Sequence, residues 1–171
     1  MAMMRATAPA VLFLCVASGV LFGALGVAAA AVVPDMLGRA VAIPDRPLRV
    51  VSLAPSITEA TYTLDRGDWL VGVTDVCDYP PPARQLPRVG GIAAPNLERI
   101  VRLRPDLVIA TAEGNARDLL DRLERLGLST FALKPDSYAG VVDSMLVMGR
   151  ALVADRAARR VVEDIQRQVR R

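Results

Sequence analysis

RVVSLAPSITEA, residues Arg49–Ala60, decides the fold. The apolar run Val50-Val51-Ser52-Leu53 breaks at Pro55 and restarts at once as a helix. Ser56 stands where an N-cap belongs and Glu59 follows three residues on, the spacing of a capping box that satisfies two orphan backbone N–H groups. A buried strand therefore feeds a helix through a short turn. That is the first half of a parallel βαβ unit, and sheets of this kind bind ligands at their strand-to-helix turns.

Working outward, the alternation continues. Asp35–Pro44 reads as a small hairpin with Gly38 at its turn. The strand Arg49–Leu53 leads to a helix from Ile57 to about Leu64, and a second strand follows at Leu70–Thr74. A Pro- and Gly-rich loop, Asp75–Pro95, comes next; ordered loops of that length usually carry function. Asn96 caps a short helix over Leu97–Leu103, which stops before Pro105. Leu107–Thr111 is the third strand. Asn115 is placed as the cap of a helix running to Leu126, with Gly127 just past its end. Thr130–Leu133 is the fourth strand, and Tyr138–Arg171 is helical with a break near Asp155. Continuous apolar strands between helices predict an α/β fold: a Rossmann-like parallel sheet of about four strands with flanking helices, followed by a long C-terminal helix.

The N-terminus is of another kind. Residues 6–33 carry no charge, only Arg5 precedes them, and Ala28-Ala29-Ala30-Ala31 follows the apolar run. This is the order of a secretory signal peptide, expected over residues 1–31 and cut within the alanines. The competing reading is an uncleaved anchor, since the run is long enough to span a bilayer. Leu14 precedes Cys15 where a lipoprotein signal needs a small residue, so no lipoprotein is expected. Cys77 is then the lone cysteine of the exported part, free or paired with a partner elsewhere. The run also accounts for much of the mean hydropathy of +0.34.

Without Arg5 the remainder has 20 basic against 18 acidic residues, too near neutrality for nucleic acid to be the main partner. The chain has no histidine, which excludes Ser-His-Asp, Cys-His and His-ligated metal chemistry within it. It also lacks G-x-S-x-G, P-loop and G-x-G-x-x-G motifs, so no catalytic set or cofactor is expected. Asp75 and Asp78 form a spaced acid pair, better suited to a turn than to metal or acid–base work.

From Asp35 onward the chain resembles the N-terminal lobe of periplasmic substrate-binding proteins that serve ABC importers of cobalamin, haem and ferric siderophores. DMLGR, RVVSLAPSITE, VGVTDVCDYPP, LPRVGG, PNLERIVRLRPDLVIAT and GN carry the resemblance in order. It implies two Rossmann-like lobes joined by one long helix, with the ligand in the cleft between them. Residues 32–137 would be the first lobe. Residues 138–171 would be a helical segment ending along the connecting helix, cut short.

The strand ends lead into Ala54–Thr58, Thr74–Tyr79, Gly90–Asn96, Thr111–Asn115 and Lys134–Tyr138, loops that share one edge of such a sheet. The candidate ligand contacts are Pro55, Ser56, Asp75, Cys77, Tyr79, Arg88, Asn115 and Tyr138. Tyr79 reads equally as a stacking surface and as a loop tyrosine packed on Pro80-Pro81-Pro82. Arg88 reads as a fork for a ligand carboxylate or as a solvated loop arginine. The tyrosines are the in-chain candidates for an axial haem ligand. The cobalamin binders of the family carry aromatic residues at the positions matching Val76, Ile92 and Thr111, which points this chain away from cobalamin.

Glu98 stands in the first turn of the Leu97–Leu103 helix, whose Leu97, Ile100 and Val101 are expected to face inward. The resemblance implies that Glu98 docks into an arginine pocket of the permease; an acid there also meets the helix macrodipole. The function implied is capture of a metal chelate and delivery to a permease, with no enzymatic activity. An exported α/β enzyme and a membrane-anchored interaction domain are the alternatives.

Overall fold

The computed structural model describes residues 30–47, 49–115 and 117–171, and opens on a hairpin. β1 (Ala30–Pro34) pairs antiparallel with β2 (Ala40–Pro44), and Gly38 takes φ +77° in the turn, where a side chain would be strained. The hairpin begins five residues before the expected Asp35: Ala30 and Ala31 lie opposite Pro44 and Ile43. The remainder of the expected signal segment lies outside the described residues.

β3 (Val50–Ser52), β4 (Leu70–Val73), β5 (Leu107–Thr111) and β6 (Thr130–Leu133) form one parallel sheet in the order β4-β3-β5-β6. Alternate strand residues enter opposite layers. Val50, Leu107, Ile109, Phe131 and Leu133 pack against α1 (Pro55–Thr63), α4 (Tyr138–Ala151) and α5 (Asp155–Val169) through Ile57, Met148 and Ala158. Val51, Val108, Ala110 and Ala132 pack against α2 (Leu97–Arg102) and α3 (Arg117–Arg125) through Ile100, Leu120 and Leu123. Both faces are covered, so the strands carry no polar face to alternate with. Each fully buried Leu, Ile or Phe contributes about 1.5–3 kcal/mol of transfer free energy.

Both sheet edges are sheathed. Outside β4 the Pro-rich loop returns as a short parallel ladder: Val73 N–H donates to the Pro87 carbonyl and Val89 N–H to the Val73 carbonyl, at 3.0 and 2.9 Å. The expected long loop is thus an ordered edge cover, with a tight 3₁₀ turn over Pro81–Gln85. Outside β6 sits the hairpin turn. The buried Asp35 carboxylate accepts from Leu37 N, Arg39 N and Ala132 N, and from Arg39 Nε and Nη2. The DMLGR motif is therefore a clasp that holds the hairpin to the last strand.

The start of α1 differs from expectation. Ser56 and Glu59 form no capping box. Pro55 occupies the first turn of α1, and Ala54 is the cap, without a side-chain bond. Proline lacks an N–H and presets a helical φ, so it takes the first helical position and moves the boundary back. A buried relay supports the turn: Thr58 Oγ1 donates to Ser52 Oγ at 2.8 Å, and Ser52 Oγ to the Ala54 carbonyl at 2.9 Å. The Asn115 side chain, expected as a helix cap, accepts from Thr111 N. The C-terminal end of α3 is as expected. Gly127 at φ +78° donates to the Glu124 carbonyl and Leu128 N to that of Leu123, the paired bonds of a Schellman motif.

The break near Asp155 falls between α4 and α5, with Val153 at φ +51°. Arg66 fastens it from across the fold: Nε donates to the Leu152 carbonyl and Nη2 to that of Val153, while the guanidinium lies 4.7 Å from the Trp69 ring centroid. Gly149 lets the two helices close, because a Cβ there would stand 2.5 Å from Ala158 Cβ.

The clasp yields a direct test. Asp35→Ala strands three backbone amides and the partly buried Arg39 guanidinium, so unfolding free energy should drop by about 3 kcal/mol in chemical denaturation.

Candidate functional site

The four parallel strands end on one edge, where their last backbone groups have no ladder to join. Side chains take over that role. Asn115 Oδ1 accepts from Thr111 N at 3.0 Å, and its Nδ2 donates to the Ile92 carbonyl at 2.7 Å. One buried amide thus joins the β5–α3 turn to the Gly90–Asn96 loop. Gly114 permits the approach, since a Cβ there would meet Ile92 Cγ2 at 2.8 Å and Thr111 Oγ1 at 2.9 Å. Arg88 performs the same task for the neighbouring loop. Its Nη1 donates to the Thr74 and Cys77 carbonyls at 2.9 and 2.8 Å, and Nη2 to the Arg84 carbonyl at 3.2 Å. Asp75 N donates to the Gly90 carbonyl at 2.9 Å, which ties the two loops together.

The expected ligand contacts therefore divide. Ser56, Asp75, Tyr79 and Tyr138 are exposed on elements at this edge, and Pro55 is partly exposed beside Ser56. Tyr79 and Tyr138 retain 62% and 50% of their surface, enough to offer ring faces to a ligand. Cys77, Arg88 and Asn115 serve the scaffold. The Cys77 side chain is fully buried in the α1 layer, its Sγ 3.0 Å from Thr74 Oγ1. Arg88 and Asn115 direct the bonds described above into loop carbonyls and a strand amide. Each bond satisfies a backbone group that strand geometry leaves unpaired, a duty that spacing in the sequence does not display. Of the positions compared with cobalamin binders, Val76 is exposed, whereas Thr111 is buried with its Oγ1 accepting from Gly114 N.

The edge also holds an apolar crevice of about 120 Å³ between α1 and α4, with Ser56, Thr111 and Pro135 among its lining residues. Thr111 and Leu133, the last residues of β5 and β6, put it at the C-terminal edge of the sheet, where open α/β sheets bind ligands. The α4 side chains at this crevice, Val141, Ser144 and Met145, read in the sequence only as helix positions.

Glu98 is exposed in the first turn of α2, on the α2–α3 side of the lobe. Asn96 Oδ1 caps that helix by accepting from Arg99 N at 3.0 Å, as expected. Ile100 is buried, but Val101 retains 39% of its surface and lines a shallow groove with Leu97 and Leu126, which corrects its expected inward position. A six-residue helix buries a single stripe, and Ile100 occupies it.

Among the described residues no group of three or more Cys, Asp or Glu side chains is placed to hold a metal ion. No helix among them is long and apolar enough to cross a membrane.

The family model for periplasmic binding proteins matches residues 50–171. A vitamin B12-binding protein of Photorhabdus laumondii is 43% identical over 99 residues, covering 58% of this chain and 36% of its own length. The crystal structure of a periplasmic vitamin B12 binding protein of Vibrio cholerae superposes with a TM-score of 0.68 at 31% identity, over 74% of this chain and 50% of that one. A periplasmic heme binding protein of Pseudomonas aeruginosa gives 0.69 at 28% identity, over 72% and 45%. The chain thus spans well under two thirds of its relatives' length, in keeping with one lobe of a two-lobed protein.

The asparagine bridge is testable alone. Asn115→Ala should cost about 2–3 kcal/mol by stranding the Thr111 amide and the Ile92 carbonyl. Hydrogen exchange should quicken in residues 90–96 and 111–115 before the sheet is affected.

Proposed function

The chain belongs to the periplasmic binding protein family, a family of binding proteins rather than enzymes, and on that premise we propose that it is the substrate-binding component of an ABC importer. It captures a metal chelate (a ferric siderophore, a haem or a corrinoid) and delivers it to the permease. The observation that carries this reading is the fastened edge of the sheet, where Ser56 lines an apolar crevice and Asp75, Tyr79 and Tyr138 are exposed on the turns and helix start that follow the strands. A preformed rim with apolar surface and a few convergent polar groups suits a large, rigid ligand, because little ordering is left to do on binding. Relatives named for vitamin B12 and for heme support the class. Within it, Val76, Ile92 and Thr111 provide no aromatic face for a corrin ring, which favours haem or a ferric siderophore.

The proposed organisation keeps residues 1–31 as a cleaved signal for export to the periplasm, 32–137 as the binding lobe, and 138–171 as the helical segment leading to the second lobe. β1 bears on the cut. Its ladder starts at Ala30, so cleavage at or before that residue preserves every pair of the hairpin. N-terminal sequencing of the exported protein should find a start between Ala28 and Ala31; an intact Met1 would refute cleavage.

Calorimetric titration of the chain with haemin, cyanocobalamin, and ferric catecholate and hydroxamate chelates tests the ligand class. Saturable binding of one class is expected, and binding of none would sink the proposal. Glu98 is proposed to dock on the permease. Glu98→Ala should weaken permease association at least tenfold, about 1.4 kcal/mol, and leave chelate affinity unchanged. A loss confined to melting temperature would assign Glu98 to the helix dipole instead.

A further inference from the structure

The crevice between α1 and α4 has a chemistry of its own. Ile57 and Ala60 line it from α1, Leu133 from the end of β6, and Val141, Met145 and Met148 from α4. It opens between α1, which connects β3 to β4, and α4, which follows β6. Small side chains keep it open: Ala60 on one wall and Val141 on the other. Two of its polar lining groups are already engaged. Ser144 Oγ donates to Met36 Sδ at 3.1 Å, and Thr111 Oγ1 accepts from Gly114 N at 3.2 Å. The third, Ser56, is exposed. A water molecule inside would lack the two to four partners that hold buried water in place.

We propose that this crevice is a subsite for an unsubstituted apolar group of about phenyl size, an aryl or branched-alkyl arm carried by the ligand. The inference rests on the chelate reading for the rest of that ligand, since no carboxylate, thiolate or phenolate lines the crevice to take the metal centre. Size supports the assignment. A closed apolar cavity of roughly 150 Å³ takes a benzene ring, and a crevice of about 120 Å³ with an open mouth takes one with its attachment point outside. The walls are adaptable, because Met145 and Met148 repack around rings at low cost and sulfur–ring contacts are favourable. Selection would follow from desolvation: an arm ending in a carboxylate would have to shed its water with no cationic side chain in the lining to replace it.

Fluorobenzene titrated into the full chain labelled with [methyl-13C]methionine is the test. The Met145 and Met148 methyl resonances should shift saturably. Val141→Phe, at an exposed position, and Ala60→Leu, at the wall, should each weaken that binding at least tenfold. Val141→Phe keeps the test valid if Ala60→Leu disturbs folding, because Val141 lies at the exposed mouth of the crevice, where a larger side chain narrows the entrance without entering the core. No saturable shift in the natural chain, or the same shift in folded Val141→Phe, would overturn the inference. Fluorobenzene binding in a chain that binds no chelate would leave the subsite standing and sink the chelate reading alone.

Discussion

The Asn115 carboxamide holds the functional edge of this molecule together. Parallel strands pair along their length, but at their C-terminal ends the chain must turn into a loop and the ladder stops. Every amide and carbonyl beyond that point needs a partner from outside the sheet. Asn115 supplies a donor and an acceptor at once, which closes the end of β5 onto the Ile92 loop. Arg88, Asn96 and the Ser52–Thr58 relay repeat the principle at the neighbouring turns. The result is a rim made of loops that behaves as a fixed surface, although little of it is regular secondary structure.

The flanks of the sheet follow the same logic with larger forces. An edge strand exposes a row of unpaired groups, and both edges here are covered by chain from outside the four-stranded core. On the β6 side the cover is anchored by a buried carboxylate. That arrangement is tolerable because Asp35 has five donors around it and an arginine as counter-charge, in turn paired with Glu124 at 2.6 Å. On the β4 side the anchor is the Arg88 guanidinium, whose Nη1 and Nη2 donate to three loop carbonyls. Charge is used at both edges to hold backbone.

Legibility in the sequence divides along this line. Strands and helices were readable because apolar runs, Gly127 and Asn96 act locally: β5 and β6 have the expected bounds, and the α2 cap and the α3 terminus are as expected. The α4–α5 break was placed correctly, yet its fastening by Arg66 lies 86 residues away and leaves no local trace. Misreadings arose where one residue type serves two ends. Ser56 fitted a cap until proline pre-empted the position. Cys77, Arg88 and Asn115 sit in the loops of the expected site, but their bonds to Thr74 Oγ1, to loop carbonyls and to the Thr111 amide cannot be read from the sequence. The crevice was invisible for a related reason, since Val141, Ser144 and Met145 keep ordinary helix spacing and only the opening between α1 and α4 makes them a wall.

The two proposed contact regions sit on opposite layers of the sheet. The crevice belongs to the α1–α4 layer, whose core cluster runs through Ile57, Phe131 and Met148; Glu98 and the exposed Val101 belong to the α2 layer, with Ile100, Leu120 and Leu123 beneath them. Strand residues alternate between these clusters, so no side chain serves both. A substitution at the crevice wall reaches Glu98 only through the backbone of β3 and β5, and well-separated changes of this kind combine nearly additively. Ligand preference can therefore drift at Ala60 or Val141 without disturbing the proposed docking surface. The Asn115 and Arg88 fastenings are different, because loosening them alters the rim itself.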